Sequence, residues 1–375
     1  MDPASLERIL VKEVRRSPGV SRRELAELIS VARSTAGRRV DHLIELGVIL
    51  ETGLEQKGVA GRPKRQLELC GTYGQFIGID FDARHIYAVL LDFANQKITD
   101  RCIPLSGRPS REEVLSHLQE VISELTNHTS GIPVLGVGIG VPGGIQSEAR
   151  IATNYPYVSG WQNVDLCQDL SLSPQKLHIE HNTRTAILGE YWLGSKMRCE
   201  NLVCLNVRTG ISAAIISGGH LLRGHHEMAG EVRGWAILDA EKEGGPSPCW
   251  LEDLASVRAL STDGVVSNHE WKTFISRCQE SDREATAHLQ VIVKHHGDTL
   301  ARLVQLVDPE AIVIAGSFNE LGDVYLERLR EATAISLLGQ YFSAPPIRFI
   351  SLGQYAGAAG AAALAAESHH LALTN

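Results

Sequence analysis

Residues 20–46 read VSRRELAELISVARSTAGRRVDHLIEL, and this stretch predicts two short helices joined by a tight turn. Ser21 and Glu24 have the spacing of a capping box, and Ser34 is placed to cap the second helix. Apolar residues recur at helical spacing in both segments and also upstream, at about residues 5–17. The pattern is typical of a helix-turn-helix, whose second helix enters the major groove of DNA.

The outward face of the second predicted helix combines short polar side chains with arginines. Short side chains near a helix N-terminus can reach base edges, and arginine pairs with guanine or with phosphate. A generic helical hairpin is the alternative, but the capping positions and the basic face favour DNA binding. The candidate DNA contacts on this helix are Ser34, Thr35, Arg38 and Arg39.

The segment after the second helix predicts a β-wing. Gly47 suits the left-handed conformation of a helix exit, and Val48–Leu50 predicts the first wing strand. The wing would end in Gly58–Arg65, which reads GVAGRPKR. An extended Gly-Arg-Pro segment fits a narrow minor groove, so Arg62 is a further candidate DNA contact. A flexible linker with solvated charges fits the same residues equally well.

Charge is divided unevenly along the chain. Residues 1–70 hold 13 Lys and Arg against 10 Asp and Glu, whereas the other residues hold 23 against 34. A basic head on an acidic body confines the attraction for DNA to one end of the molecule, because the acidic body repels phosphate.

Composition places the chain among globular proteins of more than one domain. It has 375 residues, of which 43% are hydrophobic and 21% are charged. No apolar run reaches the roughly 20 residues of a membrane span, and the charged N-terminus lacks a signal-peptide pattern. The seven scattered cysteines include no CxxC pair, which predicts free thiols in a reducing compartment. We therefore expect a cytoplasmic protein that does not act at a membrane.

Beyond the head, one pattern occurs twice: a strand, a short turn and a strand, then a helix and a further strand. The first copy covers residues 76–141 and the second covers residues 202–315. The repetition predicts two α/β lobes that face a cleft, where ligands of such folds bind. The expected divisions are 1–72 for the DNA-binding domain and linker, 73–190 for the first lobe and 191–375 for the second lobe.

Five motifs occur in an order that is typical of one family. They are GIGVPG (138–143), GWQNV (160–164), EHNTRTAILGE (180–190), AGE (229–231) and AGAAGAA (356–362). With them the chain resembles the ROK family of repressors and sugar kinases over essentially its whole length. The resemblance implies an α/β chain with an N-terminal winged helix-turn-helix and a two-lobed actin-like (ribonuclease H-like) ATPase-type fold. It also implies a C-terminal helix that returns to the first lobe.

The chain departs from the family's kinases in both phosphate loops and at the catalytic base. The kinases resemble one another in an Asp-x-Gly-Gly-Thr phosphate loop, whereas Asp80–Arg84 here reads DFDAR, and their second loop survives only as Arg208–Gly210. Their catalytic Asp corresponds to Asn182, whose neutral carboxamide cannot take a proton from a sugar hydroxyl. We therefore expect no catalytic residue, no enzymatic activity and no cofactor. Asn182 could instead cap the helix that follows it.

The sugar contacts implied by the resemblance are polar groups that suit paired hydroxyls. They are His181, Asn182, Glu231 and Glu252. The alternative for the two glutamates is ordinary surface charge. The family often has an Asn shortly before the Gly-Trp pair; without a gap that position is Tyr157, and with a short insertion it is Asn154.

Most family members also resemble one another in a zinc site of one His and three Cys, but those ligands are absent here. The His position is Gly234 or Trp235, and the Cys positions are Glu243, Gly245 and Trp250. Zinc needs about four nitrogen or sulfur ligands, so we expect no bound metal. Trp235 and Trp250 are the expected apolar replacements.

The sequence favours a sugar-responsive DNA-binding transcriptional regulator of carbohydrate-metabolism genes, of the repressor type. Its partners would be operator DNA, a sugar or sugar-derivative effector, and a second copy of the chain on a palindromic site. The effector signal would pass through the link near residues 66–75. An active sugar kinase with a DNA-binding appendage is the main alternative, and a DNA-binding protein without any ligand is the other.

Overall fold

The structure is a computed structural model that describes residues 3–54, 65–106, 108–128, 131–194, 199–239, 247–261, 264–337 and 344–369. The described residues up to Leu69 form the N-terminal head. Its elements are α1 (Pro3–Arg16), β1 (Val20–Ser21), α2 (Arg22–Leu28), α3 (Arg33–Glu45), β2 (Ile49–Leu54) and β3 (Arg65–Leu69).

The ends of the head's helices follow local backbone chemistry. Ser21 and Glu24 form the predicted capping box, in which each side chain accepts a hydrogen bond from the other residue's backbone N–H. The prediction for Ser34 is wrong, because α3 begins at Arg33 and its N-cap is Ala32, two residues before Ser34. Gly47 follows α3 with a φ of 70°, as expected for a left-handed helix exit.

A small antiparallel sheet completes the head. Strands β2 and β3 pair with each other, and β1 adds to β3, which gives the order β1-β3-β2. The arrangement of three helices and this sheet confirms the predicted winged helix-turn-helix. Gly58–Lys64 of the predicted wing tip, including Arg62, lies outside the described residues.

Two further groups of elements follow the head. The first lobe contains β4 (Gln75–Phe81), β5 (His85–Asp92), β6 (Lys97–Pro104), α4 (Arg111–Asn127), β7 (Val134–Val141), β8 (Gly144–Gln146), β9 (Ile151–Asn154), β10 (Gln162–Asp165), α5 (Leu166–Asp169), β11 (Leu177–His181) and α6 (Asn182–Leu193). The second lobe and the C-terminal helix contain β12 (Leu202–Val207), β13 (Ile211–Ser217), β14 (His220–Leu221), β15 (Ala236–Asp239), β16 (Ser247–Trp250), α7 (Leu251–Ala255), α8 (Asn268–Gln279), α9 (Arg283–Val307), β17 (Ala311–Gly316), α10 (Asp323–Ser336), β18 (Ile347–Phe349) and α11 (Ala356–Ser368).

The two lobes share one sheet topology. The first sheet has the order β11-β7-β4-β5-β6 and the second has the order β18-β17-β12-β13-β14. In each sheet three strands run parallel and the remaining two continue antiparallel. This correspondence confirms the internal duplication and the two-lobed actin-like arrangement that the repeated pattern predicts.

Each half of the duplication ends in a helix that packs on the sheet of the other half. Helix α6 follows the first sheet but reaches β12 and β13, and Ala186 and Ile187 join the same apolar cluster as Leu202 and Cys204. Helix α11 follows the second sheet but packs against β4, β5, β7 and β11. The two helices also pack against each other, so they tie the lobes together behind the cleft.

The head packs onto the first lobe and α11 through a shared hydrophobic core. Leu10 and Val14 of α1 belong to the same buried cluster as Leu91 and Phe93 of the first lobe and Ala362 of α11. The head is therefore held by the body through more than the chain connection at residues 70–74. None of the described helices combines the length and the apolar character that crossing a bilayer requires.

Candidate functional site

Both lobes contribute to one cavity at the base of the cleft. The first lobe places His181 at the end of β11 and Asn182 at the start of α6. The second lobe places Glu231 after β14 and Glu252 in the first turn of α7. All four predicted sugar contacts line this cavity, which we call the sugar cavity. Its lining also includes Asp82, Tyr155, Tyr157, Asn206, Arg208 and Arg233.

His181 presents a fixed hydrogen-bond donor to the sugar cavity. Its Nδ1 accepts a hydrogen bond from the backbone N–H of Thr183 at 3.3 Å. Burial, reinforced by nearby arginines, lowers the pKa of His181 to about 3, so the ring is neutral at pH 7. Because Nδ1 accepts, the single ring proton lies on Nε2. Nε2 is 3.5 Å from Glu231 Oε1.

Asn182 is the first residue of α6, and His181 is the cap, which corrects the capping alternative for Asn182. The Asn182 carboxamide donates to the Phe81 carbonyl oxygen at 3.4 Å, and its oxygen accepts from the Thr183 hydroxyl at 3.4 Å. Both hydrogen bonds are long, so the carboxamide keeps capacity for a ligand.

The two glutamates of the sugar cavity lie in different surroundings. Glu231 is 3.3 Å from Arg233 Nε, and burial raises the pKa of the Glu231 carboxyl. Glu252 Oε2 accepts a hydrogen bond from the Tyr157 hydroxyl at 2.7 Å. That hydroxyl in turn accepts from Arg258 at 2.6 Å. Glu252 is thereby held in one orientation before any ligand arrives.

The structure distinguishes Tyr157 from Asn154 as the residue at the position where the family often has an Asn. Tyr157 lines the sugar cavity and contacts Glu252. Asn154 lies at the end of β9, pairs with β8 and β10, and has an exposed side chain. The ungapped alignment therefore matches the geometry.

A buried ion pair supports the floor of the sugar cavity. Glu180 Oε1 accepts from Arg184 at 2.8 Å and from the His181 backbone N–H at 2.8 Å, and Oε2 accepts from Arg223 at 2.7 Å. Arg184 also donates to the Glu227 carbonyl oxygen in the second lobe. This network fixes the backbone from which His181 and Asn182 project.

Sequence reasoning missed an ion pair that crosses the cleft. Arg208, in the turn between β12 and β13, donates to Asp80 Oδ2 of β4 at 2.5 Å. Burial raises the pKa of Asp80 to about 6, although Arg208 opposes the shift. Burial alone would lower the pKa of Arg208, but the attraction of Asp80 raises it instead. No local pattern in the sequence signals this pair, because its two residues belong to different lobes.

The predicted DNA contacts of α3 differ in exposure. Ser34 and Arg38 are exposed, and Thr35 and Arg39 are half-buried. The guanidinium of Arg39 lies 3.3 Å from the buried carboxylate of Glu7 in α1, which indicates a supporting role. Arg38 has no such partner among the described residues and is available to DNA.

The former zinc region is an antiparallel hairpin of β15 and β16, in which Ala236 faces Trp250 and Ile237 faces Cys249. Trp235 packs against the core of the second lobe and under Arg302. The prediction for Trp250 is wrong, since its side chain is 53% exposed. Positions 243 and 245 lie outside the described residues. Within the described residues, no three His, Cys, Asp or Glu are placed to hold a metal ion.

The fold and the cleft define an actin-like two-lobed ligand-binding body with a winged-helix head. The sequence pattern of winged helix-turn-helix DNA-binding domains matches residues 5–49, and that of the ROK family matches residues 76–368. The chain therefore belongs to the ROK family.

Known proteins with a similar sequence or fold include regulators and kinases. A xylose repressor from Caldicellulosiruptor bescii is 28% identical over 360 residues, which cover 89% of each chain. A ROK family transcriptional regulator, described as a homologue of the E. coli MLC protein, has a TM-score of 0.75 and 19% identity over 98% of both chains. The ROK family glucokinase of Streptomyces griseus, solved with glucose and AMPPNP, has a TM-score of 0.66 and 23% identity over 78% of this chain and 99% of its own. The two structures share the fold of this chain.

Proposed function

We propose that this chain is a sugar-responsive DNA-binding transcriptional regulator that represses carbohydrate-metabolism genes. The observation that carries the proposal is the convergence of His181, Asn182, Glu231 and Glu252 on one cavity in a chain with a winged-helix head. A cavity with a few convergent polar groups is the usual form of a small-molecule site.

The four side chains complement the hydroxyl groups of a sugar. Glu231 and Glu252 accept hydrogen bonds, the Nε2–H of His181 donates, and the Asn182 carboxamide does both. A sugar hydroxyl can donate and accept at once, so it can bridge such groups. Xylose is the first sugar to test, because a similar protein is named a xylose repressor.

The cleft binds its sugar without phosphorylating it. Asn182 offers no general base, and Arg208 of the second former phosphate loop is paired with Asp80 at the start of the first. A kinase with a DNA-binding appendage is the second candidate, since glucokinases share this fold. A coupled ADP assay with D-glucose and D-xylose tests it: sustained sugar-dependent ADP release, abolished in Asn182→Ala, would establish a kinase.

The regulator acts in the cytoplasm on operator DNA, with no membrane and no cofactor involved. It binds a palindromic operator as a homodimer, because a helix-turn-helix protein contacts two half-sites through two-fold symmetry. Metal analysis of the untagged protein should find well under one zinc per chain.

Calorimetric titration of D-xylose into the full-length protein, with and without operator DNA, tests the proposal. Removing a charged hydrogen-bond partner costs about 1.5–3 kcal/mol, so Glu252→Ala should weaken sugar binding by roughly ten- to a hundred-fold. Glu327→Ala removes an exposed carboxylate of α10 and is the matched control. Operator affinity without sugar should stay the same in both variants, because Glu252 belongs to the second lobe, whereas the head packs onto the first lobe and α11.

The thermodynamic linkage between sugar binding and operator binding makes the titration decisive. Operator DNA must change sugar affinity by the same factor as sugar changes operator affinity. Equal sugar affinity in the wild type and Glu252→Ala would refute the site. Equal affinity with and without operator would refute the response. If D-xylose gives no heat of binding, a panel of neutral and phosphorylated sugars is titrated next. The absence of binding by every sugar of the panel would refute sugar sensing.

A further inference from the structure

An open groove on the second lobe adjoins the sugar cavity, and we call it the outer groove. It has a volume of about 360 Å³ and is lined by Arg233, Gly234, Trp250, Glu252, Asp253 and Arg258. Arg233 and Glu252 also line the sugar cavity, so the two spaces meet at these side chains. A ligand that occupies the sugar cavity can therefore extend into the outer groove.

Trp250 gives the outer groove an aromatic surface. All five tryptophans of the chain lie in the part that the structure describes, and Trp250 is the only one that is exposed, at 53%. Trp161 and Trp271, by contrast, are buried in the cores of their lobes. An indole ring left in water forgoes the free energy that its burial would give. The C–H face of a pyranose ring can supply that burial by stacking on the indole.

The backbone holds Trp250 at a fixed position beside the sugar contact Glu252. Trp250 ends β16, pairs with Ala236 of β15 and is also the N-cap of α7. The backbone N–H of Leu251 donates to the Trp235 carbonyl oxygen at 3.0 Å. Glu252 follows in the first turn of α7. A ligand bound to the Glu252 carboxylate therefore meets an aromatic surface that is already in place.

Gly234 leaves space in the outer groove. Apart from its chain neighbours, no atom lies within 4 Å of the position that a Cβ of Gly234 would take. Because Ala236 pairs with Trp250, the start of β15 and the end of β16 lie at the same end of the hairpin. Position 250, and either 234 or 235, are zinc-ligand positions in most of the family. The residues that form the outer groove are therefore features of this chain.

The charges of the outer groove balance, since two arginines and two carboxylates line it. Arg258 Nη2 is 3.7 Å from Asp253 Oδ1, which is longer than a hydrogen bond. The Asp253 carboxylate is half exposed, so both groups can still bind hydroxyls of a ligand. Balanced charges give an anion no net attraction. The groove therefore suits a neutral, hydroxyl-rich ligand with an apolar face.

We propose that the outer groove is a second sugar subsite and that the effector is a neutral disaccharide. One ring lies in the sugar cavity, and the ring linked to it stacks on Trp250 and binds Asp253 and Arg258 through its hydroxyls. This inference rests on the proposed function, because it names the chemical class of the effector for the same cleft.

Calorimetric titration of the full-length protein compares monosaccharides with disaccharides built from them. The pairs are D-xylose with xylobiose, D-glucose with cellobiose, and D-glucose with maltose. At least one disaccharide should bind roughly tenfold more tightly than its monosaccharide, or better. Trp250→Ala should bring the ratio of the two affinities close to one, whereas Trp250→Phe should retain part of the advantage. Ile335→Ala, which removes an exposed apolar side chain of α10, is the matched control and should leave the ratio unchanged.

Gly234→Ile tests the same subsite by filling its space. The added side chain should lower the ratio, because it competes with the second ring for the open volume. Trp250 is exposed and Gly234 borders open space, so neither substitution disturbs the core. A ratio that stays high in both Trp250→Ala and Gly234→Ile would place the second ring elsewhere and overturn the subsite.

The remaining outcomes separate the inference from the proposed function. If a monosaccharide binds and none of the disaccharides binds more tightly, the second subsite is overturned and a monosaccharide-responsive regulator remains. If Trp250→Ala changes the oligomeric state and leaves the ratio unchanged, the indole belongs to a protein contact and the inference is wrong. If no monosaccharide and no disaccharide binds or alters operator affinity, the proposed function itself fails.

Discussion

At the scale of single residues, His181 serves two roles with one imidazole ring. Its Nδ1 accepts from the Thr183 backbone at the start of α6, and its Nε2 is directed toward Glu231 in the sugar cavity. Both roles require the neutral ring, because a protonated Nδ1 could not accept. Acid should therefore damage the helix start and the sugar site together.

The His181 pKa predicts a pH dependence with a definite sign. The folded-state pKa of about 3 lies below the ordinary 6.5, so the unfolded chain binds more protons at this residue between these values. The stabilising effect is complete above pH 6.5 and is lost as pH falls toward 3. In His181→Gln the free energy of unfolding should therefore decline less between pH 7 and pH 5 than in the wild type. Urea unfolding at each pH measures this, with the exposed His288→Gln as control, and parallel declines in all three proteins would contradict it.

Arg38 is the side chain of α3 that is best placed to read sequence. A bidentate contact between arginine and guanine discriminates by about 1–3 kcal/mol, so Arg38→Ala should relax the preference at one operator position. Arg39→Ala is the comparison, because Arg39 pairs with Glu7 and should affect mainly the stability of the head. Binding to operator and to single-base variants at two salt concentrations measures the difference. A uniform loss of affinity with a weaker salt dependence would instead indicate that Arg38 contacts a phosphate. If neither affinity nor sequence preference changes in Arg38→Ala, the face of α3 that contacts DNA has been wrongly identified.

Motif positions predicted which residues meet in the sugar cavity, because short motifs fix side chains on strand ends and helix starts. Caps were harder to predict. Ser34 and Asn182 have good capping side chains, but the extended backbone of Ala32 and of His181 places the cap one or two residues earlier. The Asp80–Arg208 pair joins residues of opposite lobes, and no local pattern reports such a contact.

At the scale of elements, the crossing of α6 and α11 depends on very small residues. A Cβ at Gly360 would collide with the Thr185 carbonyl and crowd the Gly189 backbone nitrogen, so the two helices pack backbone to backbone. Most residues of both helices are buried, so neither shows the one-sided pattern of a surface helix.

Gly360→Ala tests this close approach. The added methyl group should destabilise the protein by about 1–3 kcal/mol or more, because backbone atoms must move to admit it. Gly37→Ala is the matched control: it also lies within a helix, but a Cβ there meets no atom within 4 Å. That substitution should stabilise by about 0.5–1 kcal/mol. Chemical unfolding measures both, and similar changes in the two variants would disprove the close packing.

The long, strongly periodic elements could be predicted from sequence, and the short ones could not. The helices α4 and α9 and the strands β7 and β17 lie where the pattern indicates them. Strands β8, β9 and β10 form a small separate sheet. Each strand has only three or four residues, which is too short to show a recognisable alternation of apolar and polar side chains. Strands β15 and β16 have only four residues each and were missed for the same reason.

At the scale of the whole molecule, α11 connects the cleft to the head. Its first turn places Gly357 against the carboxylate of Asp80. Near its far end, Glu367 lies within 3.7 Å of Lys12, Arg15 and Arg16 of α1. A change at the Asp80–Arg208 pair can therefore reach the head through one rigid helix, in addition to the link at residues 66–75.

Glu367→Gln should uncouple the head from the cleft. It removes the charge that α1 meets, and it leaves the sugar cavity and the DNA face untouched. Sugar affinity and operator affinity, each measured alone, should stay near the wild-type values, while the factor by which sugar changes operator affinity should shrink toward one. Glu124→Gln, which breaks a surface pair with Arg101 on the first lobe, is the control. An unchanged coupling factor in Glu367→Gln would exclude the ion pairs between Glu367 and α1 as the route.

The duplication could be predicted at this scale because the same pattern of strands occurs twice in order. The exchange of α6 and α11 between the sheets could not be predicted, since the sequence of an apolar helix does not indicate which sheet it covers. The docking of the head was equally hidden, because Leu10 and Val14 would serve the core of an isolated head just as well.

The exchange of α6 and α11 between the two sheets has a consequence for folding during synthesis on the ribosome. The first sheet begins to emerge with β4, but α11, which covers it, begins 275 residues after Phe81. At about 5–20 residues per second, that interval lasts roughly 15 to 55 seconds. Throughout it, the apolar face of the nascent sheet is open to water and to other nascent chains. A messenger RNA that is broken before the codon for Ala356 therefore yields a head joined to a first lobe whose sheet stays uncovered. Such a product should be bound by chaperones and degraded by proteases rather than bind the operator.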